Sequence, residues 1–295
     1  MAEVLERAEF SPDRLLAREF PEVRHEYSER DSIIYALGVG FGTDPLDEDD
    51  LPFVFEEPAL KAAPTMAVVL AGPGFWAREA DTGIVWQKVL HAEQEIILHR
   101  PLPAGGGLTA RTRVSRVIDK GAAKGALIYS ERTIRDADSG EDIATLRSTT
   151  FARGNGGCGG DTGPQPQPHQ IPDRAPDLTF DHKTEDRAAL LYRLAGDPNP
   201  LHADPKVARA SGFKAPILHG LCTLGIAGRA ILRCCADSDP ARFRSMKLRF
   251  SSPVYPGETI RTEMWRDGDQ VSFRARVVER DLVVLDNGLV TLAGA

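Results

Sequence analysis

Residues 154–170 form a stretch rich in glycine and proline that divides the chain near its middle. The stretch reads Gly-Asn-Gly-Gly-Cys-Gly-Gly-Asp-Thr-Gly-Pro-Gln-Pro-Gln-Pro-His-Gln and contains no large apolar side chain. Such a composition cannot build a hydrophobic core and is typical of a flexible or extended crossing segment. We therefore predict an N-terminal unit at residues 1–153, a linker at residues 154–176 and a C-terminal unit at residues 177–295.

The two units on either side of this linker resemble each other. Leu190-Leu-Tyr-Arg-Leu echoes Ile33-Ile-Tyr-Ala-Leu, and both units end in segments of alternating apolar and polar residues. These segments predict strands at 107–119, 125–136 and 143–151 in the first unit and at 259–265, 271–279 and 282–293 in the second. An internal duplication is the economical explanation.

Local signals predict further elements. A short helix is expected at residues 12–19, a strand at 51–55 and a strand after a loop within 84–98. The segment from Ser28 to Gly38 is typical of a capped helix. Another helix is expected to begin at Asp204-Pro205 and to end at Gly212. An apolar segment at 221–235, dense in small residues, predicts a helix buried against a sheet.

The bulk properties narrow the class of protein. The 295 residues suffice for one large or two ordinary domains, and a hydrophobic fraction of 42% is enough for real cores. A formal net charge of −7 argues against nucleic-acid binding, and no apolar run approaches the length of a membrane span. An anionic ligand would have to be met by local lysines and arginines.

Cysteines and termini indicate the compartment. The four cysteines, at positions 158, 222, 234 and 235, show no metal-binding spacing. Neighbouring Cys234 and Cys235 would make an awkward disulfide, which favours a reducing environment. The N-terminus lacks the basic start and apolar run of a secretory signal, and the C-terminus carries no peroxisomal tripeptide of the Ser-Lys-Leu type. We therefore expect a cytoplasmic protein.

Residues 190–205 of the second unit concentrate polar groups that are capable of catalysis. Asp197, Asn199 and His202 lie within six positions, and prolines restrict the backbone before and after them. Such a turn can direct a carboxylate and an imidazole toward one small volume. Asp197 and Asn199 alone would more often be turn residues, because Gly-Asp-Pro-Asn sequences favour turns.

Gly220 stands at the expected start of the helix at 221–235. The first backbone N–H groups of a helix are unpaired and carry the positive end of its dipole, so they can polarise a carbonyl oxygen. An acid/base pair next to such an oxyanion site provides what the reversible hydration of an activated alkene requires.

Two motifs resemble the hydratase-2 signature of the MaoC-like (R)-specific enoyl-CoA hydratases. They are Tyr192-Arg-Leu-Ala-Gly-Asp-Pro-Asn-Pro-Leu-His202 and Pro216-Ile-Leu-His-Gly-Leu-Cys222. The resemblance covers almost the whole chain and is nearest to the hydratase domain of the peroxisomal multifunctional enzyme type 2. It implies an α+β double hotdog, in which two hotdog repeats each wrap an antiparallel β-sheet around a long helix.

The resemblance also implies roles for single residues. Asp197 and His202 would activate one water, with His202 as the base toward that water and Asp197 as the acid partner toward the α-carbon. The backbone N–H of Gly220 would bind the thioester oxygen. Further family positions that would contact substrate are matched by Asn199, His91, Ala92, Lys120 and Phe250, and supporting positions are matched by Glu56 and His219.

Several of these residues also have ordinary structural explanations. His91 and Phe250 would fit a packed core, Lys120 would fit a solvated loop, and His219 is expected to be structural rather than a second base. For Glu56, we expect a structural or electrostatic role rather than a direct part in the chemistry. Ala92 departs from the family, because it stands where the His-Gly-Glu-Gln motif has glycine.

The expected function follows from the second unit, since the first has no counterpart of the Asp197 and His202 pair. We expect reversible hydration of trans-2-enoyl-CoA to (R)-3-hydroxyacyl-CoA, with coenzyme A entering as part of the substrate. No metal or redox cofactor is needed, and family likeness points to a homodimer. A non-catalytic acyl-CoA-binding hotdog protein and an acyl-CoA thioesterase remain alternatives.

Overall fold

The structure, a computed structural model, describes residues 8–294. Within this range the strands are β1 (Val23–Tyr27), β2 (Val89–Leu98), β3 (Gly106–Asp119), β4 (Ala126–Asp136), β5 (Asp142–Ala152), β6 (Leu178–Lys183), β7 (Phe243–Phe250), β8 (Thr259–Asp267), β9 (Gln270–Val277) and β10 (Leu282–Leu292). The α-helices are α1 (Pro12–Leu16), α2 (Glu29–Gly38), α3 (Leu51–Val54), α4 (Ala188–Tyr192), α5 (Pro205–Ala210) and α6 (Gly220–Cys235).

These strands form one antiparallel sheet in the order β1-β3-β4-β5-β2-β7-β10-β9-β8-β6. The first five strands and the last five follow the same order in opposite directions, so β1 corresponds to β6, β2 to β7, β3 to β8, β4 to β9 and β5 to β10. The two halves are thus topological copies, which agrees with the expected duplication. The predicted α+β double hotdog is confirmed.

The two halves of the sheet meet where β2 pairs with β7. The pairing begins with Glu93 opposite Arg249, whose guanidinium donates to the Glu93 carboxylate over 2.9 Å. Because side chains alternate between the two faces of a strand, Ile96 and Leu98 of β2 both point into the core. The sheet therefore runs without a break from one repeat into the other.

Helix α6 packs closely against the first unit, and two glycines permit the approach. A Cβ at Gly225 would lie 2.9 Å from Tyr35 Oη, and a Cβ at Gly228 would lie 2.5 Å from Thr65 Cγ2. Only glycine tolerates such distances. Helix α6 packs on the sheet, and most of its residues are buried. Among residues 8–294, no helix is both long enough and apolar enough to cross a membrane.

The two units differ in the segment that covers the sheet. Between α2 and β2, where a second long helix is expected, the first unit has α3 and four short 3-10 helices, at Pro64–Val69, Trp76–Arg78, Ala80–Thr82 and Trp86–Lys88. Proline interrupts a helix because it lacks an N–H and clashes with the preceding turn. The segment contains five prolines, at positions 45, 52, 58, 64 and 73. The expected long helix is therefore present in the second unit only.

The predicted helix boundaries with capping signals agree with the structure. Helix α2 begins after Ser28, whose backbone N–H donates to the Asp31 carboxylate over 2.8 Å. Helix α5 begins after Asp204, whose carboxylate accepts from Lys206 N over 2.7 Å. It ends before Gly212, which has a φ of 88°. Side chains that satisfy the free backbone groups thus define these ends, as their sequence predicts.

Other local predictions were wrong. Residues 51–55 were expected to form a strand, but they contain α3, with a proline in its first turn. The helix expected at 12–19 ends at Leu16. Strands β1, β6 and β7 were not predicted. β1 and β6 are only five and six residues long, and all three strands are ordered by pairing with neighbouring strands.

The glycine-rich linker is extended and attached to the first unit. Asp119 at the end of β3 accepts hydrogen bonds from Gly157 N and Gly159 N over 2.9 and 3.0 Å. Asp161 forms an isolated bridge with Ile118 of the same strand. The segment therefore crosses along β3 as an ordered connection without regular secondary structure. The predicted unit boundaries at 153 and 177 stay a prediction.

An ion pair holds α6 against the acidic loop before α3. Arg229 Nε and Nη2 donate to the two carboxylate oxygens of Asp50 over 3.2 and 2.5 Å, and both side chains are buried. The guanidinium carbon also lies 5.4 Å from the ring centroids of Phe41 and Phe180. A buried charge without a partner is costly, so this pair fixes the position of α6.

Replacing Asp50 by alanine should leave the Arg229 guanidinium buried without its carboxylate and lower the free energy of unfolding by about 3–5 kcal/mol. The matched control is Asp49→Ala, since Asp49 is largely exposed and lies 3.7 Å from Arg233. The Asp49→Ala substitution should lower the free energy of unfolding by about 1 kcal/mol or less. Chemical denaturation measures both variants, and equal losses would contradict the role given to Asp50.

Candidate active site

The loop between α4 and the 3-10 helix Pro200–His202 carries the predicted catalytic carboxylate. Gly196 precedes Asp197 with a φ of 127°, a value that favours glycine. Asp197 Oδ1 accepts from Asn199 N over 3.2 Å, and Asn199 Oδ1 accepts from Leu201 N over 3.1 Å. These two local hydrogen bonds fix the loop and leave Asp197 half-buried.

The ring of His202 is buried and is oriented by one hydrogen bond. Its Nδ1 lies 2.8 Å from the carbonyl oxygen of Ile217. Because a carbonyl can only accept, Nδ1 carries the proton in the neutral ring and Nε2 keeps its lone pair. The imidazole is therefore prepared to accept a proton through Nε2.

Asp197, His202 and His219 converge on one small volume. One carboxylate oxygen and one nitrogen from each ring lie within 4.8 Å of one another. The two imidazoles stack with centroids 3.7 Å apart and an interplanar angle of 26°. Since the lone pairs of an imidazole lie in its ring plane, two stacked rings do not direct them at a common tetrahedral ion. The arrangement suits a water molecule better than a metal ion.

His219 connects this loop to the start of α6. Its Nε2 donates to the backbone oxygen of Asp197 over 3.1 Å, and its ring lies 4.9 Å from that of Tyr192. Its Nδ1 is buried and has no hydrogen-bond partner among residues 8–294. His219 thus holds the backbone of Asp197 and leaves the carboxylate free, which is a positioning role.

The N-terminus of α6 opens onto the same region. Gly220 is exposed, and the backbone N–H groups of Gly220 and Leu221 have no acceptor in the described part of the chain. A Cβ at Gly220 would lie 3.2 Å from the ring of Phe250, and that ring lies 4.8 Å from the ring of His91. A carbonyl oxygen at this helix end would meet free donors and the positive end of the helix dipole.

His91 lies in a recess of the surface. Its side chain is exposed, yet the surrounding protein desolvates the ring and lowers its pKa to about 4. The Asp197 carboxylate opposes this shift, so the two groups are near enough to interact. Ala92 follows at the end of the β2–β7 ladder, next to the pairing of Glu93 with Arg249. Strand β2 of the first unit therefore forms one wall of the site.

Burial keeps the paired imidazoles neutral. Desolvation lowers the pKa of His202 below its ordinary value of 6.5, although the Ile217 carbonyl and the Asp197 carboxylate act in the opposite direction. Desolvation and then the neighbouring His202 lower the pKa of His219 to about 4. His202 is therefore a neutral base at pH 7.

The remaining predicted residues lie farther from the pair. Lys120 follows the last residue of β3, at the same edge of the sheet as the start of β2. Three strand spacings, or about 14 Å, separate β3 from β2. Its Nζ donates to Gln165 Oε1 of the linker over 3.3 Å. Glu56 is exposed after α3 and forms no hydrogen bond or ion pair with residues 8–294. The structure gives Glu56 no contact with Asp197 or His202.

Two residues at the site were not predicted as site residues. Val69 lies against the catalytic loop, since a Cβ at Gly196 would be 3.5 Å from its carbonyl oxygen. Its local sequence carries no signal, because the contact depends on how the first unit folds back. Tyr192, beside His219, opens the quoted motif, and its place in that motif is a usable signal.

Comparison with known proteins agrees with this geometry. Residues 25–154 match the MFE-2 hydratase 2 N-terminal domain, and residues 167–287 match the MaoC like domain. The chain is also 39% identical to the peroxisomal enoyl-CoA hydratase 2 of Arabidopsis thaliana, covering 97% of this chain and 97% of that protein. The chain belongs to the MaoC-like hydratase 2 family.

Two further proteins are similar to this chain over nearly its whole length. The 3-hydroxyacyl-thioester dehydratase Y of Mycobacterium tuberculosis is 41% identical over 90% of this chain and 92% of its own. The crystal structure of a MaoC-like dehydratase from Phytophthora capsici has a TM-score of 0.86 and 38% identity, covering 96% of this chain and 99% of that one. The resemblance seen in the motifs is therefore confirmed over nearly the whole chain.

The lowered pKa of His202 predicts the acid side of the pH–rate profile. Neutral His202 is the form that accepts a proton, so kcat/KM for hydration should stay level as pH falls through 6.5 and decrease only below it. Rates measured between about pH 5 and 8 test this. The control His99→Gln removes an exposed histidine and should leave the profile unchanged. An acid limb centred above about pH 7 would contradict the neutral state.

Proposed function

We propose that this protein catalyses the reversible hydration of trans-2-enoyl-CoA to (R)-3-hydroxyacyl-CoA. The proposal rests on the convergence of three groups. They are the Asp197 carboxylate, the His202 imidazole and the exposed N-terminus of α6 at Gly220. The relatives named as an enoyl-CoA hydratase 2 and a 3-hydroxyacyl-thioester dehydratase support the same reaction. The reaction is that of a hydro-lyase.

The water addition can be written with each proton accounted for. His202 Nε2 accepts a proton from the bound water while the water oxygen bonds to the β-carbon of the enoyl group. The π-electron pair moves toward the thioester and forms an enolate, whose oxygen accepts from the Gly220 N–H. The proton on His202 passes to the Asp197 carboxylate, and the resulting carboxyl group delivers a proton to the α-carbon, which restores both residues. The reverse sequence is the dehydration.

The protein positions these groups on one side of the substrate. The hydrogen bond from His202 to Ile217 fixes the base, and the bond from His219 fixes the backbone of Asp197. A water held between two such groups can approach one face of the double bond only. We therefore attribute formation of a single enantiomer to the fixed loop.

The substrate brings the remaining chemistry. We propose that coenzyme A enters only as part of the thioester, with Lys120 facing its anionic portion, and that no metal or redox cofactor takes part. A homodimer and a reducing compartment are proposed as well. The four cysteines are all free, which supports the latter, whereas a cytoplasmic location stays a prediction.

Replacing Asp197 by asparagine should lower kcat for hydration by about 10²–10⁴-fold, because the proton transfer is lost while the loop hydrogen bond from Asn199 can be kept. Loss of the enoyl absorbance measures the rate, and chiral analysis identifies the product. Asp204→Asn is the matched control, since the same substitution seven residues later, at the start of α5, retains a good helix cap and should change neither kcat nor stability.

Two other results of this assay would reject the proposal. Release of free thiol from enoyl-CoA with an unchanged double bond would identify a thioesterase. Saturable binding of enoyl-CoA by the folded native protein, without any turnover, would identify a non-catalytic binding protein.

A further inference from the structure

A band of polar side chains crosses the inner face of the sheet in the first unit. On one rung, Gln94 of β2 pairs with Ser148 of β5, which pairs with Ser130 of β4. On the next rung, Arg132 of β4 pairs with Thr112 of β3. We call these five residues the inner polar band. Their neighbours two positions along each strand are almost all buried apolar residues, so the band separates two parts of the core.

The corresponding face of the second unit contains no such band. Strand β9, the counterpart of β4, places Val271, Phe273, Ala275 and Val277 on its inner side, and all four are buried. Helix α6 covers that face. In the first unit, only α3 and short 3-10 helices stand in the place of a long helix. The inner polar band therefore lies on the part of the sheet that faces short helices and loops rather than a long helix.

Arg132 is the charged member of the band and has no anionic partner. Its Nη2 donates to the carbonyl oxygen of Val68 over 2.9 Å, and its Nε is buried without an acceptor. No carboxylate within residues 8–294 forms an ion pair with it. Burial lowers the pKa of this guanidinium to about 10. One neutral carbonyl cannot satisfy five donors, so the group is incompletely paired.

The surroundings of Arg132 leave room for its head group. A Cβ at Gly72 would lie 2.8 Å from Nη1, so glycine at this position keeps the space beside the guanidinium free. Ser130 and Ser148 use their hydroxyls for a mutual hydrogen bond of 2.8 Å and do not bind Arg132. The free donors of the guanidinium are therefore the strongest unmet hydrogen-bonding capacity of the band.

The inner polar band is continuous with the catalytic site. Gln94 lies near enough to His91 to favour its protonated ring, and His91 contacts the Phe250 ring beside Gly220. Phe250 of β7 and Arg132 of β4 are three strand spacings apart across the sheet, or about 14 Å, and about four residues apart along the strands, so the direct separation is about 19 Å. An extended acyl tail attached to a thioester at Gly220 can span this distance.

We propose that the inner polar band is the wall of an acyl subsite and that Arg132 binds an oxygen acceptor, a carboxylate at best, at the far end of the acyl tail. The inference rests on the proposed hydratase function and names its preferred substrate class, enoyl-CoA thioesters of dicarboxylic acids. A carboxylate supplies the missing acceptors and the missing negative charge together, and guanidinium–carboxylate pairs are the strongest of such bonds.

The experiment compares trans-2-enoyl-CoA substrates with and without a terminal carboxylate, in a series of matched chain lengths. Native protein should show at least a tenfold higher kcat/KM for the carboxylated substrate at the length that reaches Arg132. Arg132→Met should abolish that preference and leave the plain substrate within about twofold of native. Arg135→Met is the matched control, because Arg135 lies on the exposed face of β4 and pairs with Asp142.

Each outcome decides between distinct explanations. Equal kcat/KM for both substrate types at every length in native protein overturns the inference and leaves the hydratase function intact. An equal decrease for both substrates in Arg132→Met assigns a purely structural role to Arg132. No hydration of any enoyl-CoA, with or without the terminal carboxylate, by native protein refutes the function itself.

A second measurement avoids any folding defect of the variant. Saturated acyl-CoA and ω-carboxyacyl-CoA of equal length serve as competitive inhibitors of the native protein. The carboxylated thioester should inhibit with at least a tenfold lower Ki, and Arg132→Lys should reduce this ratio because an ammonium cannot form the bidentate pair. Equal inhibition constants in native protein would overturn the inference.

Discussion

The close packing of α6 against the first unit is the constraint on which the active site depends. Gly225 and Gly228 bring the helix to the side chains of Tyr35 and Thr65, and the buried pair of Arg229 with Asp50 sets its position. Its first residue, Gly220, is thereby held beside Phe250. A helix end can polarise a carbonyl only where its free N–H groups face a substrate. The oxyanion site at Gly220 therefore depends on this contact between the two units.

The hydrogen bond from His202 to Ile217 connects that packing to the acid/base pair. Ile217 lies three residues before α6, so the same segment orients the base and begins the oxyanion site. His219 adds a bond to the backbone of Asp197. One short segment therefore positions every group that the reaction needs, which explains why both motifs are required together.

The sequence predicts the local chemistry far better than it predicts the covering layer. Asp197, Asn199 and His202 form turns whose hydrogen bonds are local, and Asp204 is a helix cap whose effect is equally local. The strand expected at 51–55 failed because its apolar run is too short to distinguish a strand from a helical turn. Val69 reaches the site only through the fold of the whole first unit, a long-range effect that no local pattern encodes.

The two units have the same strand topology, but only the second carries the Asp197 and His202 pair. The second unit has the long helix and carries the catalytic pair, while in the first unit short helices and loops pack on the sheet in place of a long helix. Strand β2 contributes His91 to the site, so the first unit supplies part of the wall around chemistry that it does not perform.

The joint between β2 and β7 has a consequence for the integrity of the chain. If either half were made alone, it would present a long strand with unpaired backbone groups and apolar side chains at its edge. Such an edge recruits any strand that can pair with it, including one from another copy. Covalent fusion of the two repeats keeps the correct partner at hand, and only the short strands β1 and β6 are left at the outer margins.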